Sequence, residues 1–442
     1  MAIVVCYSKN KGNKMDFKPT LHKLSNGVTV ILDPMDLETV AIKVRFATGS
    51  RDETPDVYGI THFCEHMLCK GTKKLPTSKA LTEFLENNGG GFSAATSPSR
   101  LIFSGRIVAE NAVVLLENIA DRLKNSLFDL HKIEIERDVI LDELRRAKGN
   151  NNRKYLDFIF SNLFGFSDYR TLGTEENIKS FTREQLLNWT YKRLSAKNCT
   201  IGISGRIDNP DVLLKKIEEL FNFLPTHDVE IHKQLIYTPC VNFLPEPSLK
   251  NVQISILFPR IRQDTYENIR ANLAEFKFHK YLAQEVREVV RQQNGLVYSL
   301  NMVAYGNEFD GVIGFKTETA PENLEKTIAL IAQTSYRVYN HDKINDTVIH
   351  RFLNRQKLSN ADFLESAVNR CDTLIDHWVD FGKLYDFNKI VEMDYDINAD
   401  EVIAASAGFF DGQVSIMTFG ATHNVDLRKI WTENFKKGTN CD

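Results

Sequence analysis

His62-Phe63-Cys64-Glu65-His66, followed much later by Glu136-Arg137-Asp138-Val139-Ile140-Leu141-Asp142-Glu143, is the pair of segments from which this chain is best read. Residues four apart on a helix share a face, so His62 and His66 can offer two imidazoles to one cation. Glu65 lies close enough to that face to reach a water on the same cation. Two histidines leave a site incomplete, because catalytic zinc usually takes three protein ligands and keeps a fourth position open. Glu136 and Glu143, seven apart, share a helical face and offer the missing carboxylate. The pattern predicts a zinc hydrolase in which metal-activated water attacks a carbonyl. A helix whose histidines merely cap or line a core is the competing reading.

His-x-x-Glu-His inverts the commoner His-Glu-x-x-His and is known among zinc peptidases as the inverzincin motif. The longer stretch Gly59-Ile60-Thr61-His62-Phe63-Cys64-Glu65-His66-Met67-Leu68-Cys69-Lys70-Gly71-Thr72 resembles the active-site helix of the pitrilysin/insulinase (M16) family. The resemblance runs from about Leu24 to Gly420. It implies zinc ligands at His62, His66 and Glu143, Glu65 as general base, and Glu136 as a supporting acid that does not ligate. The interval of 77 residues from His66 to Glu143 agrees with the family's long spacing. A short two-domain member, similar to the catalytic subunit of the mitochondrial processing peptidase and its bacterial homologues, is the implied type.

Composition is compatible. A chain of 442 residues, 43% hydrophobic, is long enough for two domains with substantial cores. A net charge of −3 leaves no overall basic footprint for nucleic acid. No apolar run approaches the ~18 residues that a membrane span needs. Seven cysteines at irregular spacing suggest free thiols in a reducing compartment, with the cytoplasm as the expected location and an organelle matrix as the alternative. Cys69, three residues after His66, could close the metal shell if the helix continued past it. Cys64 is expected to point away from the metal.

The chain repeats one plan. Strands are expected at 27–32, 40–46, 92–95, 99–107 and 200–205, with the motif helix and a helix near 78–88 among them. Helices dominate from 109 to 193, and another ends near Phe221. The order returns with strands at 251–258, 297–305, 311–318 and 414–420, and with helices to 292 and to 390. The expected fold is therefore α+β, with two similar domains, each a mostly antiparallel sheet packed with helices. Residues 1–14 read as a disordered extension, 15–224 as the metal-binding domain, 225–240 as a linker and 241–442 as a homologous domain without metal. No second His-x-x-Glu-His follows residue 240.

The second half carries Arg291-Gln292-Gln293-Asn294-Gly295-Leu296-Val297-Tyr298, which resembles the family's Arg…Gly-Leu-x-Tyr segment. The resemblance implies that Arg291 and Tyr298 reach across to a zinc site, where guanidinium and phenol can donate to a developing oxyanion. A solvated arginine and a half-buried strand tyrosine are the plainer reading, and Arg287 is expected to be a surface charge. Ser93-Ala94-Ala95-Thr96 matches the family's Asn-Ala-x-Thr edge strand, which pairs with substrate backbone. Serine replaces asparagine here, a shorter donor, so Ser93 and Ala94 are the candidate substrate contacts.

Family members of this length generally form dimers around a chamber. A homodimer with two complementary sites and a heterodimer with a non-catalytic homologue are both compatible with this sequence. The leading expectation is an endopeptidase acting on peptides or unfolded segments. The alternatives are a peptidase that removes targeting peptides and, in another class, a non-catalytic scaffold or partner subunit.

Overall fold

In a computed structural model, residues 17–230, 236–306, 310–340, 344–405 and 413–435 are described. The expected extension at 1–14 lies outside them. Two sheets organise the chain. The first has the strand order β1-β2-β6-β3-β5-β4, from Thr20–Lys23 (β1), Thr29–Pro34 (β2), Thr39–Phe46 (β3), Gly90–Ser97 (β4), Arg100–Val108 (β5) and Cys199–Gly205 (β6). The second has the order β7-β11-β8-β10-β9, from Val241–Pro245 (β7), Val252–Pro259 (β8), Leu300–Gly306 (β9), Gly311–Thr319 (β10) and Ser415–Gly420 (β11). Each sheet is antiparallel except for one parallel pair, β2 with β6 and β7 with β11. The expected α+β class with paired sheets is the one observed. β1 and β7 escaped the sequence reading, since each is short and β1 has a single apolar residue.

Strand alternation decides what each sheet face meets. In β3, Val40, Ile42, Val44 and Phe46 enter the first core with the motif helix and its neighbours. Ala41, Lys43 and Arg45 point the other way. They meet a helix of the second half, Ala367–Phe381, which packs Cys371, Leu374 and Ile375 against Ile31 and Ala41. Close approach there depends on Gly202 in β6, where a Cβ would stand 2.6 Å from Ile375. The second sheet is built likewise. Val252, Ile254, Ile256 and Phe258 of β8 face their own core, while Ser255 and Leu257 meet the helix Asn151–Phe164 of the first half. Tyr155 on that helix donates to Ser255 Oγ at 2.8 Å and contacts the Met417 carbonyl oxygen at 3.0 Å. Each half thus lends the other a helix, which a linear division at 225–240 does not convey.

Charges bind the exchanged helix as well as apolar contacts. Arg370 forks onto both oxygens of Asp33, with relative exposures of 3% and 0%. Lys43 pairs with Asp372, and Arg45 and Arg100 share Asp376 and Asp380. Removing one partner of a buried pair strands the other charge, at a cost of about 3–5 kcal/mol. Arg370→Leu should lose stability of that order in urea unfolding. The double variant Asp33→Ala/Arg370→Leu should recover part of it, and a single-variant loss below about 1 kcal/mol would mean that the pair contributes little.

Candidate metal centre

The motif helix, Ile60–Leu68, is short, and its position is set from outside. Gly59 caps it with φ +93°, and a Cβ there would stand 2.6 Å from the Gly173 Cα. The Glu53 carboxylate receives the backbone N–H groups of Gly59 at 2.7 Å and Thr61 at 2.9 Å, two donors that the helix leaves unpaired at its start. Burial pushes the Glu53 carboxyl up to about 8, against these hydrogen bonds. Trp189 Nε1 donates to Thr61 Oγ1 at 3.0 Å. Phe63, Cys64, Met67 and Leu68 sink into the core, so His62, Glu65 and His66 occupy the opposite face. Cys64 does point away, its thiol directed at the Leu186 carbonyl oxygen.

The acidic helix, Leu130–Gly149, begins at Asp129, whose side chain accepts from the Lys132 N–H. Ile133, Ile140, Leu141 and Leu144 seat it on the same core, which aims Glu136 and Glu143 at the histidines. His62 Nε2 and His66 Nε2 lie 3.2 Å apart. Glu143 Oε2 stands 3.7 Å from the first and 3.8 Å from the second. Among the described residues these three form the one group of metal-competent side chains converging within 4.8 Å. Ligand atoms about 2.0–2.1 Å from zinc in a tetrahedron are separated by about 3.3 Å, close to the distances here. The donor set therefore fits zinc.

Glu136 is buried and makes no approach to that point. Its Oε2 lies 2.8 Å from His66 Nδ1 and its Oε1 lies 2.8 Å from Lys70 Nζ. Burial alone would raise this carboxyl, but the hydrogen bonds from His66 and Lys70 outweigh it and hold it below the usual range. Burial, then neighbouring His66 and Arg153, lowers His62 to about 3, so its imidazole is neutral and a competent ligand. Burial raises Glu65, opposed by a 2.7 Å hydrogen bond from Thr96 Oγ1 to Glu65 Oε2. A base with an elevated pKa beside three ligand atoms can take a proton from water.

The remaining expected residues lie elsewhere. β4 is an edge strand, hydrogen-bonded among the described residues to β5 alone, so its other edge is unpaired there. Ala94 and Thr96 face the motif helix side, and Ala94 packs on the first core. Ser93 is exposed on the opposite face, with its hydroxyl 2.9 Å from that of Ser104. Its side chain is thus aimed away from the ligands. Arg291 sits in the turn that ends the helix Tyr266–Arg287, with its guanidinium 5.6 Å from the Tyr298 ring. Tyr298 is 89% exposed and precedes β9 instead of lying in it. Among the described residues, the contacts of His62, Glu65, His66 and Glu143 run to one another, to Glu136 and to Thr96, and not to Arg291 or Tyr298. Arg287, expected at the surface, donates to the Leu300 carbonyl oxygen at 2.8 Å. Cys69 falls just past the end of the helix and outside the ligand cluster. Sequence reasoning missed Glu53 and Lys70, and it placed Thr96 in the edge strand without its bond to Glu65; the i, i+4 spacing of His66 and Lys70 was the available signal for one of them.

Residues 29–171 match the family model Insulinase (Peptidase family M16), and residues 180–354 match Peptidase M16 inactive domain. The chain belongs to peptidase family M16. Within that family it is 26% identical over 407 residues to an uncharacterized zinc protease of Rickettsia bellii, covering 90% of this chain and 96% of that protein. It is 32% identical over 223 residues to a probable mitochondrial-processing peptidase subunit beta of Arabidopsis thaliana, covering 50% of this chain and 41% of that one. The fold is shared with the M16 inactive domain structure from Pseudomonas fluorescens, with a TM-score of 0.80 at 16% identity over 92% of this chain and 98% of that one. A Helicobacter pylori protease superposes with a TM-score of 0.77 at 16% identity, over 91% and 99% of the two chains.

Glu53 sets where the motif helix starts. Glu53→Ala should cost about 1–2 kcal/mol in denaturant unfolding, as loss of a helix N-cap does. Unfolding at unchanged denaturant concentration would show that packing alone fixes the helix.

Proposed function

We propose that this chain is a zinc-dependent endopeptidase that cleaves peptides or unfolded segments. The observation that carries the reading is the convergence of His62, His66 and Glu143 within 4.8 Å, with Glu65 on the same helical face. His62 Nε2, His66 Nε2 and a Glu143 oxygen would hold the ion. Zinc, when bound, supplies Lewis-acid activation of water and of the scissile carbonyl. Glu65 would take the proton from an attacking water and deliver it to the leaving amine, with Thr96 fixing the carboxylate's orientation. The unpaired edge of β4 offers backbone donors and acceptors to an extended peptide, a mode that tolerates many sequences. With Ser93 turned away, backbone pairing beside Ala94 carries this contact.

Arg291 and Tyr298, exposed and paired with one another, are suited to serve the zinc site of a facing chain. This supports a dimer, with a homologous subunit as the other candidate partner. Similarity over about half of the chain to proteins named mitochondrial-processing peptidase subunit beta favours removal of targeting peptides as the second reading. A scaffold has no physical need of all four residues His62, Glu65, His66 and Glu143. The free cysteines among the described residues support a reducing compartment.

Purified protein should contain one zinc per chain, and Glu143→Gln should lose most of it, because a neutral amide is a poor ligand. Equal zinc in both proteins would refute the ligand assignment. Glu65→Gln should keep zinc and fold while peptide cleavage falls by about 10² or more.

Tyr298→Phe should lower kcat by about 10²–10³ with zinc content unchanged. If the working site is shared between two copies, mixing Glu65→Gln with Tyr298→Phe chains should restore activity once subunit exchange is demonstrated. Exchange without recovery would exclude a shared site.

A further inference from the structure

We propose that Lys70 is a positioning residue of the metal centre, acting through Glu136 to hold the His66 imidazole in its ligating tautomer and orientation. The inference rests on the zinc reading above and extends it to a residue outside the ligand set. Lys70 follows His66 by one helical turn, just beyond the end of the motif helix. Its ammonium lies 2.8 Å from Glu136 Oε1, while Glu136 Oε2 lies 2.8 Å from His66 Nδ1. Each oxygen of one buried carboxylate is therefore occupied, and the rotation that would release His66 must also break the Lys70 contact.

A second contact fixes Lys70 itself. Lys132, one turn before Glu136 on the acidic helix, donates through Nζ to the Lys70 carbonyl oxygen at 2.8 Å and to the Pro76 carbonyl oxygen at 2.5 Å. The acidic helix thus grips Lys70 twice, by its backbone and by its side chain. A neutral imidazole that donates from Nδ1 to a carboxylate presents a lone pair at Nε2, the atom that faces His62 and Glu143. The Lys70 ammonium engages the oxygen of Glu136 that His66 leaves free. Its influence on the metal passes through that carboxylate, which links the ammonium to the imidazole.

The test uses the full chain and zinc. Affinity is read by competition with a chromophoric chelator, alongside thermal unfolding of the metal-free protein. Lys70→Met should weaken zinc about 10–100-fold, the usual effect of losing a group that orients a ligand. Lys70→Arg should restore most of the affinity, and Lys70→Met/Glu136→Gln should bind no more weakly than Glu136→Gln alone. Nitrogen NMR of metal-free protein should show the His66 Nδ1–H tautomer in the wild type and a mixture in Lys70→Met, a change that a purely structural staple would not produce. Lys70→Gln gives the same comparison should methionine disturb folding. Unchanged affinity and tautomer in both variants, or additive losses in the double variant, would overturn the proposal. A wild-type chain that binds no zinc would overturn the metal reading first and this inference with it.

Discussion

Two imidazoles held with their Nε2 atoms 3.2 Å apart, inside a cleft that excludes most water, form the constraint around which the first half is arranged. His66 gives its Nδ1 hydrogen to Glu136, which leaves its Nε2 turned toward His62. His62 Nδ1 is buried without a hydrogen-bond partner, whichever tautomer the ring adopts. A carboxylate oxygen then arrives within 4 Å of both rings. A cation between these three atoms would be met by all of them at once. The fold imposes the convergence through contacts remote from it, namely the glycine cap, the Glu53 carboxylate and the apolar stripe of the acidic helix. The motif helix has nine residues, too few to be stable alone, so its geometry belongs to the surrounding core.

The exchanged helices make that core part of a larger body. The helix Ala367–Phe381 covers the back of the sheet whose front carries the metal centre. Its ion pairs reach Arg45 in β3 and Arg100 at the start of β5. Arg100 stands opposite Ser97, next to Thr96, so the turn that presents Thr96 to Glu65 is tied to the second half. Excising the second half would therefore remove a support of Glu65 together with the surface carrying Arg291 and Tyr298.

Much of this was legible in the sequence because it depends on short periods. Alternation marked β3 and β8, and the i, i+4 rule placed His62 and His66 together. A seven-residue interval put Glu136 and Glu143 on one face, though spacing alone did not say which of them faces the metal. That distinction comes from burial and from Lys70, which are tertiary facts. β1 was missed because an edge strand of four residues has almost no apolar pattern to read. Tyr298 reads as a strand residue because the strand is expected to begin at Val297, directly after the glycine turn at Gly295. The helix ends instead in a wider turn, and the chain reaches β9 only at Leu300. Ser93 was matched by motif position, but which face a strand residue takes depends on register. Pairing of Ser93 with Ser104 sets that face away from the ligands.

Exposure is distributed unevenly over the centre, and this bears on the proposed reaction. The His62 and His66 side chains are 12% and 14% exposed, whereas that of Glu143 is 41% exposed. The two imidazoles lie deep and the carboxylate stands at the rim, so a cation approaching them would meet the acidic group first. Glu65 is placed between this centre and the edge strand by the Thr96 hydroxyl. A peptide added to the free edge of β4 would run past Thr96, and its backbone would arrive where base and metal meet. Strand addition then supplies register as well as affinity: the position of a peptide bond along β4 sets its distance from Glu65. Selectivity in such a site follows from which extended segments can enter, more than from any one side-chain pocket, and unfolded chains meet that condition where folded ones do not.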